Sequence, residues 1–403
     1  MPTTRAGILR GEVYIIDGVR TPVGKFGRSL KDVSPVDLAA LTLKELVERV
    51  GIDHDSVDLI LYGHVIRAGT GMNTAKHAAL KAGFPEDVDA SNVDMVCASG
   101  MRAIMDAATY IASGTIDVAI AGGMESMSTS PFILPYRARW GYRFMMNGED
   151  RFLDAMVYDG LRDPIYGLLM GQEADETAWE YNATREELDR IAYESHVRAA
   201  RAWDNRVFRR TTVPVTLGGK VLLEEDEGVR RDTSIDKLSR LPPVFTSRGP
   251  HTAGNSSQIS DGAASILLAS RRAVEELGLK PKAIIRAWAI AGVKPTRFPV
   301  APVKAIRALL DGLGWSVDDV DLWENNEAFA VNSYILNRDL GIPYEKLNVH
   351  GGSIAIGHPL GSTGARITLE LVNALEIRQA RRGIASICHG LGGATAIAVE
   401  RLA

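Results

Sequence analysis

Val93-Asp94-Met95-Val96-Cys97-Ala98-Ser99-Gly100-Met101-Arg102-Ala103-Ile104 is the stretch whose reading decides the fold. It reads as a short strand running into a helix. Met101, Ile104, Met105, Ala108 and Ile111 recur at helical spacing, and Gly114 follows as a stop. Cys97 therefore sits where the strand hands over to the helix. Free N–H groups and the positive end of the helix dipole gather there, which favours a thiolate over a thiol. Small residues follow it, so a ligand can come close. Cys97 is a candidate nucleophile on this pattern; the alternative is a small buried core residue.

Outward from this stretch, strands and helices alternate. Val13 to Asp17 reads as an opening strand, Pro35 to Val50 as a helix, Val57 to Gly63 as a second strand, and Asn73 to Ala82 as a short helix. Asp117 to Gly123 is a buried strand ending in Gly-Gly. The alternation predicts a parallel, helix-covered sheet. The same order returns late in the chain. Val57-Asp58-Leu59 matches Val320-Asp321-Leu322 at a shift of 263, and Ser99-Gly100-Met101-Arg102 resembles Thr363-Gly364-Ala365-Arg366 at a shift of 264. Val118 to Gly122 resembles Ala385 to Cys388, again followed by glycines. A near-constant offset through three elements predicts two related α/β halves. In the second half, Cys388 to Gly393 runs straight into a closing strand, Ala394 to Glu400. In the first, more than a hundred residues separate Gly123 from the comparable strand, Gly262 to Ser270. That insertion is rich in Arg, aromatics and helix (Glu173 to Tyr181, Arg185 to Trp203), as binding segments carried on a rigid scaffold often are.

Bulk composition sets the class. The 403 residues are 46% hydrophobic with 39 glycines and a net charge of −4, which predicts a soluble globular protein with no basic footprint for nucleic acid. No apolar run approaches the roughly 18 residues a membrane-spanning helix needs. Met1 to Glu12 is polar and lacks the apolar core of a secretion signal, so a cytoplasmic protein is the simpler expectation. Cys97 and Cys388 are the two cysteines, too few for a disulfide framework, and no Cys/His spacing suggests a metal site.

In a parallel sheet, sites form beyond the carboxyl ends of the strands. Cys97, Asn325-Asn326-Glu327, His358 and Cys388 all fall there. His358 lies in a glycine-rich run, Gly351 to Gly361, and can take a proton from a thiol near neutral pH. Cys388 precedes a glycine-rich turn whose N–H groups can hold an oxyanion; the alternative is a buried strand cysteine. His389 is given no catalytic role, because neighbours on a strand point to opposite faces. His54, His77, His196, His251 and His350 read as solvated or core residues, and His64 is left open. Two thiols, an imidazole and an amide fit chemistry that needs both a nucleophile and a base acting on carbon. Claisen condensation of acyl thioesters is such chemistry.

These residues resemble the thiolase family along essentially the whole chain, from Val13 to Leu402. The motifs carrying the resemblance are Arg20-Thr21-Pro22-Val23-Gly24-Lys25-Phe26-Gly27, Val96-Cys97-Ala98-Ser99-Gly100-Met101, Gly122-Gly123-Met124-Glu125-Ser126-Met127-Ser128, Thr252-Ala253-Gly254-Asn255, Asn326-Glu327-Ala328-Phe329-Ala330, Gly357-His358-Pro359-Leu360-Gly361, and Cys388 with Gly390. Within the family, the early motif is most similar to that of acetoacetyl-CoA thiolases, the acetyl-CoA acetyltransferases. The resemblance implies an αβαβα sandwich of two pseudo-symmetric βαβαβαββ halves, residues 1–124 with 255–279 and residues 280–403, with an inserted loop domain at 125–254.

It also implies a reversible ping-pong condensation of two acetyl-CoA into acetoacetyl-CoA and CoA. Cys97 would take the acetyl group, helped by His358, and Cys388 would remove the α-proton of the second acetyl-CoA. His358 and a water on Asn326 would hold the enolate, and the N–H groups of Cys97 and Gly390 the other oxyanion. Arg230 and Ser257 would contact CoA. Met170, Phe245, Ala328 and Phe329 would line its tunnel; for these four apolar residues a plain core role is the alternative. Coenzyme A is substrate and product, with no separate cofactor and no metal. The family implies a homo-oligomer, dimer or tetramer, and leaves open a complex with a downstream enzyme.

Three departures bear on substrate choice: Leu169 where many biosynthetic members have His, His389 after the second cysteine, and Leu391 where many have Gly. A degradative 3-ketoacyl-CoA thiolase of broader chain length is one alternative. A decarboxylating condensing enzyme is another, which the second cysteine speaks against. A non-catalytic acyl-CoA-binding or scaffold member is the third, which the intact Cys97, His358 and Cys388 speak against.

Overall fold

The computed structural model describes residues 4–142 and 152–402; part of the insertion, 143–151, lies outside them. In chain order the main elements of the first half are β1 (Arg5–Arg20), α1 (Pro35–Val50), β2 (Leu59–Gly63), α2 (Thr74–Lys81), β3 (Asp89–Val93), α3 (Ser99–Ala112) and β4 (Val118–Ser126). The insertion contributes α4 (Met170–Glu180) and α5 (Arg185–Asp204) before β5 (Ser260–Ser270). The second half runs β6 (Ala283–Gly292), α6 (Ala301–Leu313), β7 (Leu322–Asn325), α7 (Ala330–Leu340), α8 (Leu360–Arg378), β8 (Arg382–His389) and β9 (Gly393–Arg401).

Strand order repeats between the halves. The first half reads β3-β2-β4-β5-β1 and the second β7-β8-β9-β6. β2 is parallel to β3 and β4, and β7 is parallel to β8, whereas β4–β5, β5–β1, β8–β9 and β9–β6 are antiparallel. The sheet is therefore mixed rather than parallel. The reason is local: β8 reaches β9 through the tight turn Gly390–Gly392, with no room for a helical crossover. β1 and β6 then pair antiparallel and join the two halves at one edge. β1 is longer than its hydrophobic signal, since Arg5 to Ile8 continues the ladder onto Ile290 to Ala287.

Helices make the other layers. α1 and α2 cover the outer face of the first-half strands, and α6 covers the outer face of the second. α3 and α8 lie between, each touching strands of both halves. Ile15, Met101, Ile104, Ile266, Ile367, Leu371 and Ile397 are among the apolar side chains buried in this middle layer. Strands covered on both faces read as continuous apolar runs, and β5 (Ser-Asp-Gly-Ala-Ala-Ser-Ile-Leu-Leu-Ala-Ser) is buried along all but its last residue.

Glycine lets the halves meet. A Cβ on Gly364 would stand 2.3 Å from the Met101 nitrogen, and one on Gly100 would stand 2.7 Å from the Gly361 carbonyl oxygen. Any larger residue would force α3 and α8 apart. These glycines belong to the repeated Ser-Gly-Met-Arg and Thr-Gly-Ala-Arg segments, so the near-constant offset marks the contact between equivalent helices. Among the described residues no helix is long and apolar enough to cross a membrane.

Candidate active site

Cys97 sits in a tight turn just before α3. Val96, which precedes it, adopts φ +49°, a left-handed conformation costly for a β-branched residue. Ser99 holds the turn closed. Its hydroxyl accepts from the Met95 N–H at 2.8 Å and donates to the Val96 carbonyl at 2.6 Å. The sulfur is buried, and burial pushes its pKa up to about 12. The N–H groups of Gly390 and of Cys97 itself pull the other way, and the Glu125 charge adds to the rise. The helix end therefore does not make a resting thiolate. Desolvation and a neighbouring carboxylate outweigh the dipole, and the group is a thiol until a base takes its proton.

His358 is poised to be such a base. It lies ahead of α8, with Pro359 as the cap residue. Thr363 donates its hydroxyl to the Pro359 carbonyl at 2.8 Å and so accepts from His358 Nδ1 at 2.7 Å. That places the ring proton on Nδ1 and leaves Nε2 as the acceptor nitrogen. Burial, with the Arg366 charge behind it, lowers the pKa to about 3 and keeps the ring neutral. On the Nε2 side Asn326 approaches with its Nδ2 at 3.3 Å. The Asn326 amide is oriented by a chain of donors: Arg366 Nη2 to Ser353 Oγ at 2.6 Å, then Ser353 Oγ to Asn326 Oδ1 at 2.6 Å.

Cys388 ends β8, fully buried. Desolvation raises its pKa most, and the neighbouring Cys97 raises it further, so the two thiols occupy one site. Asn332 Nδ2 reaches the Cys388 sulfur at 3.4 Å and lowers the pKa. Two residues beyond, the Gly390 N–H points at the Cys97 sulfur. Leu391, at φ +66°, bends the chain there. Cys97 and Cys388, from two distant segments, thus share one buried site, and His358 stands beside Asn326.

The comparisons with known proteins give the family. Residues 13–272 match the model of the thiolase N-terminal domain, and residues 279–401 that of the thiolase C-terminal domain. The chain belongs to the thiolase family. An acetyl-CoA acetyltransferase of Synechocystis is 44% identical over 97% of this chain and 100% of its own. The crystal structure of the Bacillus anthracis acetyl-CoA acetyltransferase superposes with a TM-score of 0.94 at 40% identity, covering 98% of this chain and 100% of that one. A thiolase from Ascaris suum, solved in complex with coenzyme A, gives 0.90 at 38% identity over 97% and 100% of the two chains.

A cavity of about 480 Å³ reaches His358. Met170, Phe245, Phe329, Ser257, Arg230 and His358 line it, so these six sequence-predicted residues share one cavity, whereas Cys97, Cys388, Asn326 and Gly390 are not in its wall. Ala328 is buried and does not line it; its carbonyl accepts from the Ser257 N–H at 2.9 Å. Lys25 and Arg230 also border the cavity, and the charges of Arg230 and Arg28 help to lower the Lys25 pKa, after desolvation. Asn332, Thr363, Ser353 and Glu125 escaped the sequence reading as site residues. Only Glu125 carried a signal, a carboxylate inside the buried strand β4. His389 turns its Nδ1 to the Gly390 carbonyl at 2.7 Å.

Proposed function

We propose that the chain is an acetyl-CoA C-acetyltransferase, condensing two acetyl-CoA to acetoacetyl-CoA and CoA and running the reverse cleavage. The shared site of Cys97 and Cys388, together with a buried, neutral His358, carries this reading. Cys97 attacks the thioester carbon as His358 Nε2 takes the thiol proton. CoA leaves with the proton of Cys388, which becomes a thiolate, while His358 keeps the proton from Cys97 and the acetyl group stays on sulfur. Cys388 then takes an α-proton from the second acetyl-CoA. The enolate oxygen is held from the side of Asn326 and His358. Its carbon attacks the acetyl carbonyl, whose oxygen is held by the N–H groups of Cys97 and Gly390. Expulsion of the Cys97 sulfur, which takes its proton back from His358, releases product. The names and near-complete coverage of the relatives support the same activity.

Lys25, Arg28 and Arg230 form a cationic mouth suited to the phosphates of CoA. The apolar wall of Met170, Phe245 and Phe329 suits its pantetheine arm. No separate cofactor is invoked. The apolar cavity, with Leu169, Met127 and Met156 in its wall, favours a second reading in which longer 3-ketoacyl-CoA substrates are also cleaved. A kcat/KM series from C4 to C16 separates the two.

A homo-oligomer, dimer or tetramer, is part of the proposal. The inserted segment exposes Phe132, Tyr136, Trp140 and Ile165, an apolar surface that a second copy can cover. The two buried, unpaired thiols fit a cytoplasmic setting.

Intact-protein mass spectrometry tests the core claim. The parent chain is expected to gain one acetyl group from acetyl-CoA, Cys97→Ala none, and Cys388→Ala one without forming acetoacetyl-CoA. No adduct on the parent chain would leave an acyl-CoA-binding protein instead.

A further inference from the structure

Glu125 stands in the buried strand β4, and no step above uses it. Its carboxylate collects three backbone N–H groups. Val65 donates to Oε2 at 3.2 Å, Ile66 to Oε1 at 3.1 Å and Gly361 to Oε2 at 2.9 Å. Val65 and Ile66 follow the end of β2 in the first half. Gly361 is the second residue of α8 in the second half, three positions after His358. One carboxylate therefore spans the seam between the halves and satisfies an N–H in the first turn of α8, where an anion is favoured. Its charge also reaches Cys97.

We propose that Glu125 is a positioning residue: as an anion it clamps the start of α8, and with it His358, against the Cys97 turn. The inference rests on Cys97 being the acylated thiol.

Three consequences follow from the geometry. A neutral acid at this position gives up an acceptor site to a proton, so the clamp is complete only in the ionised form. The cost of keeping the anion buried shows in its pKa, raised to about 7 by desolvation against the pull of the three N–H groups. No Lys or Arg pairs with it among the described residues. The nearest titratable group is His64, whose Nε2 stands 3.5 Å from Oε1 and has no hydrogen-bond partner. His64 Nδ1 is tied to Thr74 Oγ1 at 2.8 Å, and burial and Arg67 lower its pKa to about 4, so the ring is neutral beside the carboxylate. Asp94 faces the group from the Cys97 turn and raises its pKa. A neutral histidine beside a lone buried carboxylate leaves the clamp free to titrate near pH 7, whereas the His358 pKa of about 3 lies far below. An acid limb near pH 7 in the acylation rate is then the signature of Glu125.

The test follows acetylation of Cys97 by quenched-flow mass spectrometry across pH 5 to 9, in the full chain. The parent is expected to lose rate as pH falls through about 7, with KM for acetyl-CoA nearly constant. Glu125→Gln keeps the volume and removes the charge. It is expected to acetylate at least about 10-fold more slowly at pH 8, since small misplacements of reacting groups cost up to about 100-fold, and to lose the acid limb. Glu125→Asp, which keeps the charge, should recover part of the rate and keep the limb. A parent profile flat between pH 6 and 8 overturns the proposal, even if the variants do not fold. So does a Glu125→Gln chain that acetylates like the parent, or one whose KM rises in step while the limb persists. A parent chain that never acetylates would instead overturn the assignment of Cys97.

Discussion

Asn326 offers its side-chain N–H to His358 Nε2 at 3.3 Å while Thr363 holds the opposite ring nitrogen at 2.7 Å. The ring is gripped from both ends, and Thr363, at the shorter distance, leads the decision that the proton sits on Nδ1. Thr363→Ala removes that decision and leaves the cavity intact. Its kcat is expected to fall about 10–100-fold, since small misplacements of a reacting group cost up to about 100-fold, with KM little changed. Thr363→Ser should restore most of the rate, since it keeps the hydroxyl. Steady-state kinetics on the two variants checks this.

Asn332 is the polar partner of Cys388. Its Nδ2 faces the sulfur at 3.4 Å, and its Oδ1 accepts from the Phe329 N–H at 3.0 Å. Asn332→Leu leaves the Cys388 thiolate without its side-chain donor, so its already raised pKa rises further. The expected result is selective. Cys97 acetylates at the parent rate, while condensation slows by about 10-fold or more, the scale of one lost hydrogen bond to a charged group. Equal slowing of both half-reactions would mean that the helix start had moved instead.

Arg20 is a fully buried cation joining three parts of the chain. It donates to Asp226 in the insertion at 2.7 and 3.0 Å and to Glu370 of α8 at 2.7 Å, with its guanidinium 4.9 Å from the centre of the Phe208 ring. Arg20→Met fills the space but leaves two buried carboxylates facing each other. Breaking one partner of a buried pair costs about 3–5 kcal/mol, read as a lowered midpoint in urea. Arg20→Lys should also destabilise, because an ammonium cannot serve both carboxylates in the same fork.

Local pattern made the two halves readable. The offset of 263 to 264 connects β2 with β7 and α3 with α8, and the apolar runs of β4 and β8 end at their glycines in both halves. Cys97 and Cys388 were legible because each follows or ends a strand signal, whereas His358 follows a short helix, Ser353–Ile356, rather than a strand and was legible from its glycine-rich run. What pattern could not supply was sign and distance. The helix start at Cys97 predicts a lowered pKa, and only burial and the approach of Glu125 from another strand reverse it. The antiparallel return of β9 hung on a turn too short for a helix. Thr363, Ser353 and Asn332 are ordinary helix-start residues in sequence. Their partners stand 5 to 56 positions away, and only the packed fold says which side chain each one meets.

Glu173 provides a stability prediction outside the catalytic centre. It is fully buried in α4, and its protonated carboxyl lies against that of Asp163, to which it donates a hydrogen bond. Burial first, then Asp163, raises its pKa to about 8, against roughly 4.3 in an unfolded chain. The folded state thus holds a proton that the unfolded state releases. Stability falls as pH rises from about 4 to about 8, then levels off. Glu173→Gln keeps a neutral, hydrogen-donating group at every pH. It is expected to stabilise the chain by about 1–3 kcal/mol at pH 8 and by almost nothing at pH 4, where both states of the parent are protonated. Thermal melts of the two chains at both pH values measure the difference. An equal shift at pH 4 and pH 8 would show that packing, not the proton, separates them.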